Sequence, residues 1–424
     1  MLLYYYFVLF SLCYSSELFE DYYIEAEEYM KKMTIEEKIG QMFFASYIAA
    51  KAKDDIKNKK PGGFVLFGND FSGNDSYIQK YITELQDLAK EHIALPLGLA
   101  VDEEGGTVCR VSTKHREGGK FPSPQQIYSS SGIEGILKID QEKRNLLRKY
   151  YLNINLAPVA DNSYNKNDYI HERSLGRSPK ETADYIAADV EGYVKDNFTC
   201  CAKHFPGYGN NTDTHQGIAF DNRTYEIFQN EDFKAFQAGI DKNLPMILVS
   251  HNIVRCKDHK YPASLSKLWH DILRKELKFS GLIITDDLKM GAIEQYADNE
   301  NVAVLAVKAG NDILLTGKFD EHYKAVVDAV KNGFIPENKI NTACRRIIAW
   351  KLKYLIGFNP KKEDNNTNND NKNTALIVIF SLLAGLIVIG IILFLIIKYK
   401  KKKDLNAYTS YPEQELMSNS KVLM

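Results

Sequence analysis

Along the middle of the chain, short runs of consecutive apolar residues alternate with longer stretches in which apolar positions recur every three or four residues. The runs are GGFVLFG (62–68), LPLGLAV (95–101), INLAPVA (154–160), FTCCAKH (198–204), PMILVSH (245–251), GLIITD (281–286) and DILLTG (312–317). They are too short for stable helices and apolar at consecutive positions, the pattern of strands covered on both faces of a parallel sheet. Between them, SPKETADYIAADVEGYVKDN (178–197), SKLWHDILRKEL (266–277) and DEHYKAVVDAVKNG (320–333) carry helical periodicity. Thr34-Ile-Glu-Glu37 reads as a capping box that starts a helix running into Gln41–Phe44. Repeated strand–helix alternation over residues 20–358 predicts an α/β fold with right-handed crossovers. A closed (β/α)8 TIM-type barrel forming one domain is the leading form, and an open doubly wound sheet is second. No G-x-G-x-x-G follows an early strand, which counts against the second.

The two ends have a different pattern. Residues 1–16, MLLYYYFVLFSLCYSS, form a short apolar run with small residues at its end, as in a signal peptide. Ala375 to Ile397 contains no charged residue, and at 1.5 Å per residue a helix of that length crosses a ~30 Å hydrocarbon core. The expectation is therefore a single transmembrane helix at 375–397, approached by a polar, Asn-rich stalk at 359–374. The lysines that follow at once, Lys398 and Lys400 to Lys403, place the 398–424 tail in the cytosol. This predicts a single-pass type I membrane protein whose main domain is extracellular or in the lumen of a lysosome-like compartment. Sequons at Asn74, Asn197, Asn210, Asn222 and Asn365 fit that secretory route.

Composition changes the picture in two respects. The 54 basic and 55 acidic residues give a net charge of −1, which excludes a nucleic-acid binder built on a strongly basic surface. The tail holds six lysines against three acids, so the remainder of the chain is mildly acidic. Of six cysteines, Cys13 belongs to the leader. Cys109, Cys200, Cys201, Cys256 and Cys344 are an odd, scattered set that makes no disulfide scaffold. Cys200–Cys201 reads as part of a buried strand. No metal-ligand spacing appears, no cofactor is implied, and nothing in the sequence sets an oligomeric state.

Polar residues collect where the predicted strands end: Asp102 after LAV, Asp161 after PVA, Lys203–His204 after TCCA, His251 after ILVS and Asp286 after LIIT. One such residue means little, because Asp commonly caps a following helix. Polar residues at five strand ends of a barrel converge on its C-terminal face, where active sites lie.

Specific segments then point to a family. Lys203-His-Phe-Pro-Gly-Tyr-Gly209, followed by Asp213-Thr-His215, resembles the active-site loop of glycoside hydrolase family 3, and within it the NagZ-like β-N-acetylglucosaminidase branch. Val101-Asp-Glu-Glu-Gly-Gly-Thr-Val-Cys-Arg110 is similar to that branch's sugar-binding segment. Gly281-Leu-Ile-Ile-Thr-Asp-Asp-Leu-Lys-Met290 resembles its nucleophile segment, and Met33-Thr-Ile-Glu-Glu-Lys-Ile-Gly-Gln-Met42 its N-terminal helix. The resemblances span 33–290 in family order.

The resemblance implies a (β/α)8 barrel and a retaining exo-β-N-acetylglucosaminidase acting on terminal β-linked N-acetylglucosamine in peptidoglycan fragments, chitin oligomers or glycans. It implies Asp286 as the nucleophile that forms a glycosyl-enzyme; Asp287, next to it, reads instead as a helix cap that holds N-terminal peptide groups. It implies a His215–Asp213 dyad as acid/base, with Asp213 orienting His215. Asp102, Arg110, Arg173, Lys203 and His204 are implied as ligands of sugar hydroxyls, and Asp161 and His251 as supports of the pocket. The sequence departs from the family pattern at Tyr208, Thr107 and Lys289, and its 209–213 loop is one residue shorter. Two alternatives keep the site: a phosphorylase, since a neutral histidine does not repel phosphate, and a β-glucosidase. A third is a non-catalytic surface carbohydrate receptor.

Overall fold

The computed structural model describes residues 17–209, 211, 217–290 and 293–357. Eight parallel strands follow one another around the sheet: β1 (Phe43–Ser46), β2 (Gly63–Val65), β3 (Gly98–Val101), β4 (Ile154–Asn155), β5 (Thr199–Phe205), β6 (Met246–Val249), β7 (Leu282–Thr285) and β8 (Leu314–Thr316). β8 pairs with β1, Phe43 opposite Leu314. The ring closes where Ile284 bridges Ile313 and the Thr285 amide donates to the Ile313 carbonyl at 3.1 Å. The expected barrel is thus formed, and the open-sheet alternative is not. Each of the seven apolar runs contributes a strand. INLAPVA contributes two residues of β4 and a separate bridge from Val159 to Lys203.

The eighth strand corrects the sequence reading. The helix started by the Thr34 capping box spans Ile35–Gln41 and stops there, and Phe43–Ser46 is β1 rather than helix. Gly40 lies so close to the chain at Lys59 that a Cβ would come within 2.0 Å of its carbonyl oxygen. Beyond it, Phe43, Phe44 and Ala45 are buried, and Phe44 and Ala45 are paired on both edges. Two neighbouring strands offer this segment a hydrogen-bond ladder, which overrides its local helical pattern.

The expected membrane anchor is corrected as well. Among the described residues no helix is long and apolar enough to cross a membrane. The long helices are amphipathic: Asp75–His92 buries Ile78, Ile82, Leu85 and Ala89 while exposing Lys80, Asp87 and Lys90, so one face packs on the barrel and the other meets water. The stretches 1–16, 359–374, 375–397 and 398–424 lie outside the described residues. The single-pass type I placement has no support and falls with the anchor.

The helices between strands cover the barrel and close one core. The last, Glu337–Tyr354, buries Trp350, whose indole N–H donates to Thr199 Oγ1 at 3.0 Å on β5. Cys200 and Cys201 are buried within β5, and all five described cysteines are free. Asn74, Asn197 and Asn222 are exposed; Asn210 and Asn365 lie outside the described residues.

Candidate active site

A cleft of about 400 Å³ opens at the C-terminal end of the strands, lined among others by Asp102, Glu104, Arg110, Arg173, Lys203, His204 and Asp286. Six of the eight residues expected at the site are therefore brought together. The other two, Asp213 and His215, lie outside the described residues.

The segment after β3 supplies the acids. Asp102 is the first residue beyond the strand; its Oδ1 accepts from Lys203 Nζ at 2.7 Å, and its Oδ2 lies 3.7 Å from Arg110. Glu103 turns away from the cleft. Its carboxylate accepts from the amides of Arg110 (3.0 Å) and Val111 (2.8 Å), folding the chain back so that Arg110 faces Asp102. Glu104 enters the cleft again as its electrostatic centre. Lys203 Nζ is 2.6 Å from its Oε1, and Arg173 grips both oxygens, Nε to Oε2 at 2.9 Å and Nη2 to Oε1 at 2.7 Å. Burial alone would push the Glu104 carboxyl up, but Arg173 and Lys203 outweigh it and hold the group well below the usual carboxylate range. The Lys203 ammonium shows the reciprocal balance: burial lowers it, and Asp102 and Glu104 more than compensate. Glu104, Arg173 and Lys203 thus hold one another in their charged forms at the cleft.

Sequence reasoning did not single out Glu104. The D-E-E run gave a signal that more than one acid was present, but adjacent acids cannot be sorted by direction without the turn at Gly105–Gly106.

β5 contributes Lys203 and His204 side by side, joined by a cis peptide. Asp161, fully buried, accepts from His204 Nδ1 at 2.7 Å, from the His204 amide at 3.2 Å and from the Tyr208 amide at 2.7 Å. That bond fixes the tautomer: Nδ1 carries the proton, and Nε2 faces Arg173 Nη2 at 3.4 Å. Asp161 thus holds both His204 and the turn that follows.

Asp286 is the first residue after β7. The Asp287 amide donates to its Oδ1 at 2.9 Å, which orients the carboxylate. Asp287 accepts from the amides of Lys289 (2.9 Å) and Gly317 (3.0 Å), tying two strand-end loops together rather than capping a helix. Burial raises the Asp287 carboxyl, the two amides pull it back, and the Asp286 charge adds to the rise. His251 bridges Ser264 Oγ (2.7 Å) and the Asp287 carbonyl (3.1 Å), bracing this turn from β6.

Residues 34–350 match the glycosyl hydrolase family 3 N-terminal domain. The chain belongs to glycosyl hydrolase family 3. It is a glycoside hydrolase. A β-hexosaminidase of Idiomarina loihiensis is 34% identical over 277 residues, covering 63% of this chain and 80% of that protein. An uncharacterized secreted glycosyl hydrolase of Arthroderma benhamiae is 29% identical over 307 residues, covering 68% and 84%. Among solved structures, a family 3 β-N-acetylglucosaminidase from a Paenibacillus species superposes with a TM-score of 0.72 at 24% identity, over 80% of this chain and 65% of that one. A β-N-acetylhexosaminidase from Beutenbergia cavernae gives 0.67 at 25% identity, over 76% and 99%.

Of the departures from the family 3 pattern, Thr107, at the tip of the 105–108 turn, and Lys289 point to solvent. Tyr208 is buried against Val159 and Ile170 and packs edge-on against His204, with ring centroids 5.5 Å apart.

Proposed function

We propose that this family 3 enzyme is a retaining exo-β-N-acetylglucosaminidase acting on terminal β-linked N-acetylglucosamine in peptidoglycan fragments, chitin oligomers or glycans, and that the single barrel at 20–358 carries the whole reaction. The observation that carries the reading is the convergence of Asp102, Arg110, Arg173, Lys203 and His204 on one cleft with Asp286. The preference for an N-acetylated sugar is supported by the relatives' names.

A pyranose presents hydroxyls that both donate and accept. Asp102 accepts from them, and Lys203, Arg110 and Arg173 donate, so a cluster of paired acids and bases reads a neutral polyol. Asp286, oriented by the Asp287 amide, attacks the anomeric carbon; the C1–O bond to the leaving group breaks as the carboxylate ester forms. The departing oxygen takes a proton from His215, which Asp213 orients. In the second step His215 takes a proton from water, the water oxygen bonds to C1, and Asp286 leaves as carboxylate.

The test is turnover of a panel of aryl β-glycosides by the full chain, with mass spectrometry of the trapped intermediate. N-Acetylglucosaminide hydrolysis and a sugar mass on the peptide carrying Asp286 are expected, with Asp286→Ala lowering kcat by about 10⁴-fold or more. Glucoside turnover without N-acetylglucosaminide turnover, or label on another carboxylate, overturns the reading.

A further inference from the structure

The turn that follows β5 is held from below by a second ionic cluster, separate from the one lining the cleft. Arg223 lies at its centre. Its Nη1 donates to Asp232 Oδ2 at 2.8 Å, its Nη2 to Asp221 Oδ2 at 2.8 Å and its Nε to the same oxygen at 3.0 Å. Nη2 also reaches the Gly207 carbonyl at 3.3 Å. Asp221 accepts as well from Asn211 Nδ2 at 3.1 Å, and Asn211 in turn donates to the Tyr208 carbonyl at 2.7 Å. The side chains of Asp221 and Asp232 are 1% and 0% exposed.

The backbone of the turn packs directly on these charges. A Cβ at Gly207 (φ 133°) would come within 2.1 Å of Asp232 Oδ1, and one at Gly209 (φ 56°) within 2.6 Å of Arg223 Cζ. The Gly-Tyr-Gly sequence is therefore what lets the guanidinium and carboxylate approach the main chain. The platform beneath is regular: Phe220–Asp221 pairs in parallel with Ile253–Val254, and the Ile253 amide donates to the Ala219 carbonyl at 2.9 Å. None of these residues lines the cleft.

The bond between Asn211 and Asp221 has a topological consequence. The chain between them, which carries Asp213 and His215, starts and finishes within one hydrogen bond. We infer that Arg223, bridging Asp221, Asp232 and the Gly207 carbonyl, is a positioning residue for the proton transfer: it fixes both ends of the segment that carries His215, and touches no substrate. The inference rests on His215 being the acid, as proposed above.

A structural staple and a positioning residue differ in what they do to different leaving groups. An activated dinitrophenolate departs without a proton, whereas a sugar or methanol oxygen needs one. The experiment compares kcat/KM, which reports the step that forms the glycosyl-enzyme, for the dinitrophenyl and methyl β-N-acetylglucosaminides. Values are normalised to active sites counted from the trapped intermediate. Arg223→Ala is expected to lose about 100-fold on the methyl glycoside and less than about fivefold on the dinitrophenyl one, the low end of what general acid catalysis supplies. Arg223→Lys, which keeps a cation there, recovers part of that loss. Equal loss on both substrates overturns the inference.

Asn211→Ala provides a second variant in case Arg223→Ala does not fold. It removes only the tie to Asp221 and Tyr208, and should show the same selectivity on a smaller scale; uniform loss counts against the inference equally. His215→Ala separates the two assignments. If it loses both substrates alike, the acid is not in this segment and the inference falls with it. If it is selective and Arg223→Ala is not, only the positioning role falls.

Discussion

At both ends of the barrel a buried carboxylate sits between two cations: Glu104 between Arg173 and Lys203 at the C-terminal end, and Asp312 between Arg274 and Arg346 at the N-terminal end. What the partners do with their remaining hydrogen-bond capacity separates them. At the N-terminal end it is spent on the main chain. Arg274 donates to the carbonyls of Phe279 (2.9 Å) and Gly281 (2.6 Å), and Asp312 accepts from the Ile283 amide (2.8 Å). Those bonds knit the entries to β7 and β8. At the C-terminal end Glu104, Arg173 and Lys203 engage one another and Asp102, and all four line the cleft beside Asp286. Cavity size does not distinguish the ends. The depression beside Asp312 is the larger, about 590 Å³ against about 400 Å³, yet none of the six described site residues lines it. Buried ion pairs act as staples when backbone groups saturate them, and as ligand-reading groups when they face a cleft.

The largest effect that would break this comparison is at Asp312. Asp312→Ala leaves two guanidiniums without their counter-charge, and removing one partner of such a buried pair costs about 3–5 kcal/mol. Urea unfolding should show that loss, while specific activity per folded molecule stays within about twofold of wild type. A stable but inactive variant would make the N-terminal cluster part of the catalytic machinery.

Glu104→Gln is the counterpart. It keeps the shape and removes the charge that fixes Arg173 and Lys203. A hydrogen bond to a charged group is worth about 1.5–3 kcal/mol, so kcat/KM should fall by roughly 10- to 100-fold. Stability should fall by less than in Asp312→Ala, because Asp102 still pairs with Lys203 and the cleft admits water. Loss of stability with full activity would reverse the two assignments.

The same contrast explains how far the sequence could be read. Strands buried on both faces announce themselves as consecutive apolar residues, so seven of eight were visible. β1 was hidden because a strong capping box lies directly upstream, and only the barrel's closure reveals that two strands wait for Phe43–Ser46. Residues at strand ends were legible for the same reason the strands were. Arg173 was recognisable only through the family motif, since its partner Glu104 is 69 residues away. Glu104 itself, and the cluster of Asp221, Arg223 and Asp232, were not legible. Their roles come from which way a turn points and from packing against glycines, and polar residues in loops carry no periodicity that encodes either. The spacing Asp221-x-Arg223 was the one local hint, and two residues of opposite charge at that spacing are common on solvated loops.

Lys351 carries the comparison to an ion with no counter-charge among the described residues. It sits fully buried in the Glu337–Tyr354 helix, and its one hydrogen-bond partner among the described residues is neutral: Gln41 Oε1, at 2.8 Å. Burial lowers its ammonium to about 7 from an ordinary 10.5. Between those values the unfolded chain binds more protons than the folded one, so this group makes stability rise with pH across that window and leaves it at its lowest below about 7. Lys351→Met removes the penalty but leaves the Gln41 oxygen unpaired, which costs about 1–3 kcal/mol. The first is worth roughly 4 kcal/mol at pH 7, so the variant should be more stable than wild type by about 1–3 kcal/mol there, a gain that vanishes or reverses near pH 10. Urea titrations of both proteins at the two pH values read the difference directly. A variant less stable than wild type at pH 7 would mean that the folded protein accommodates the charged lysine without cost, and that a lone buried ion here behaves as the paired ones do.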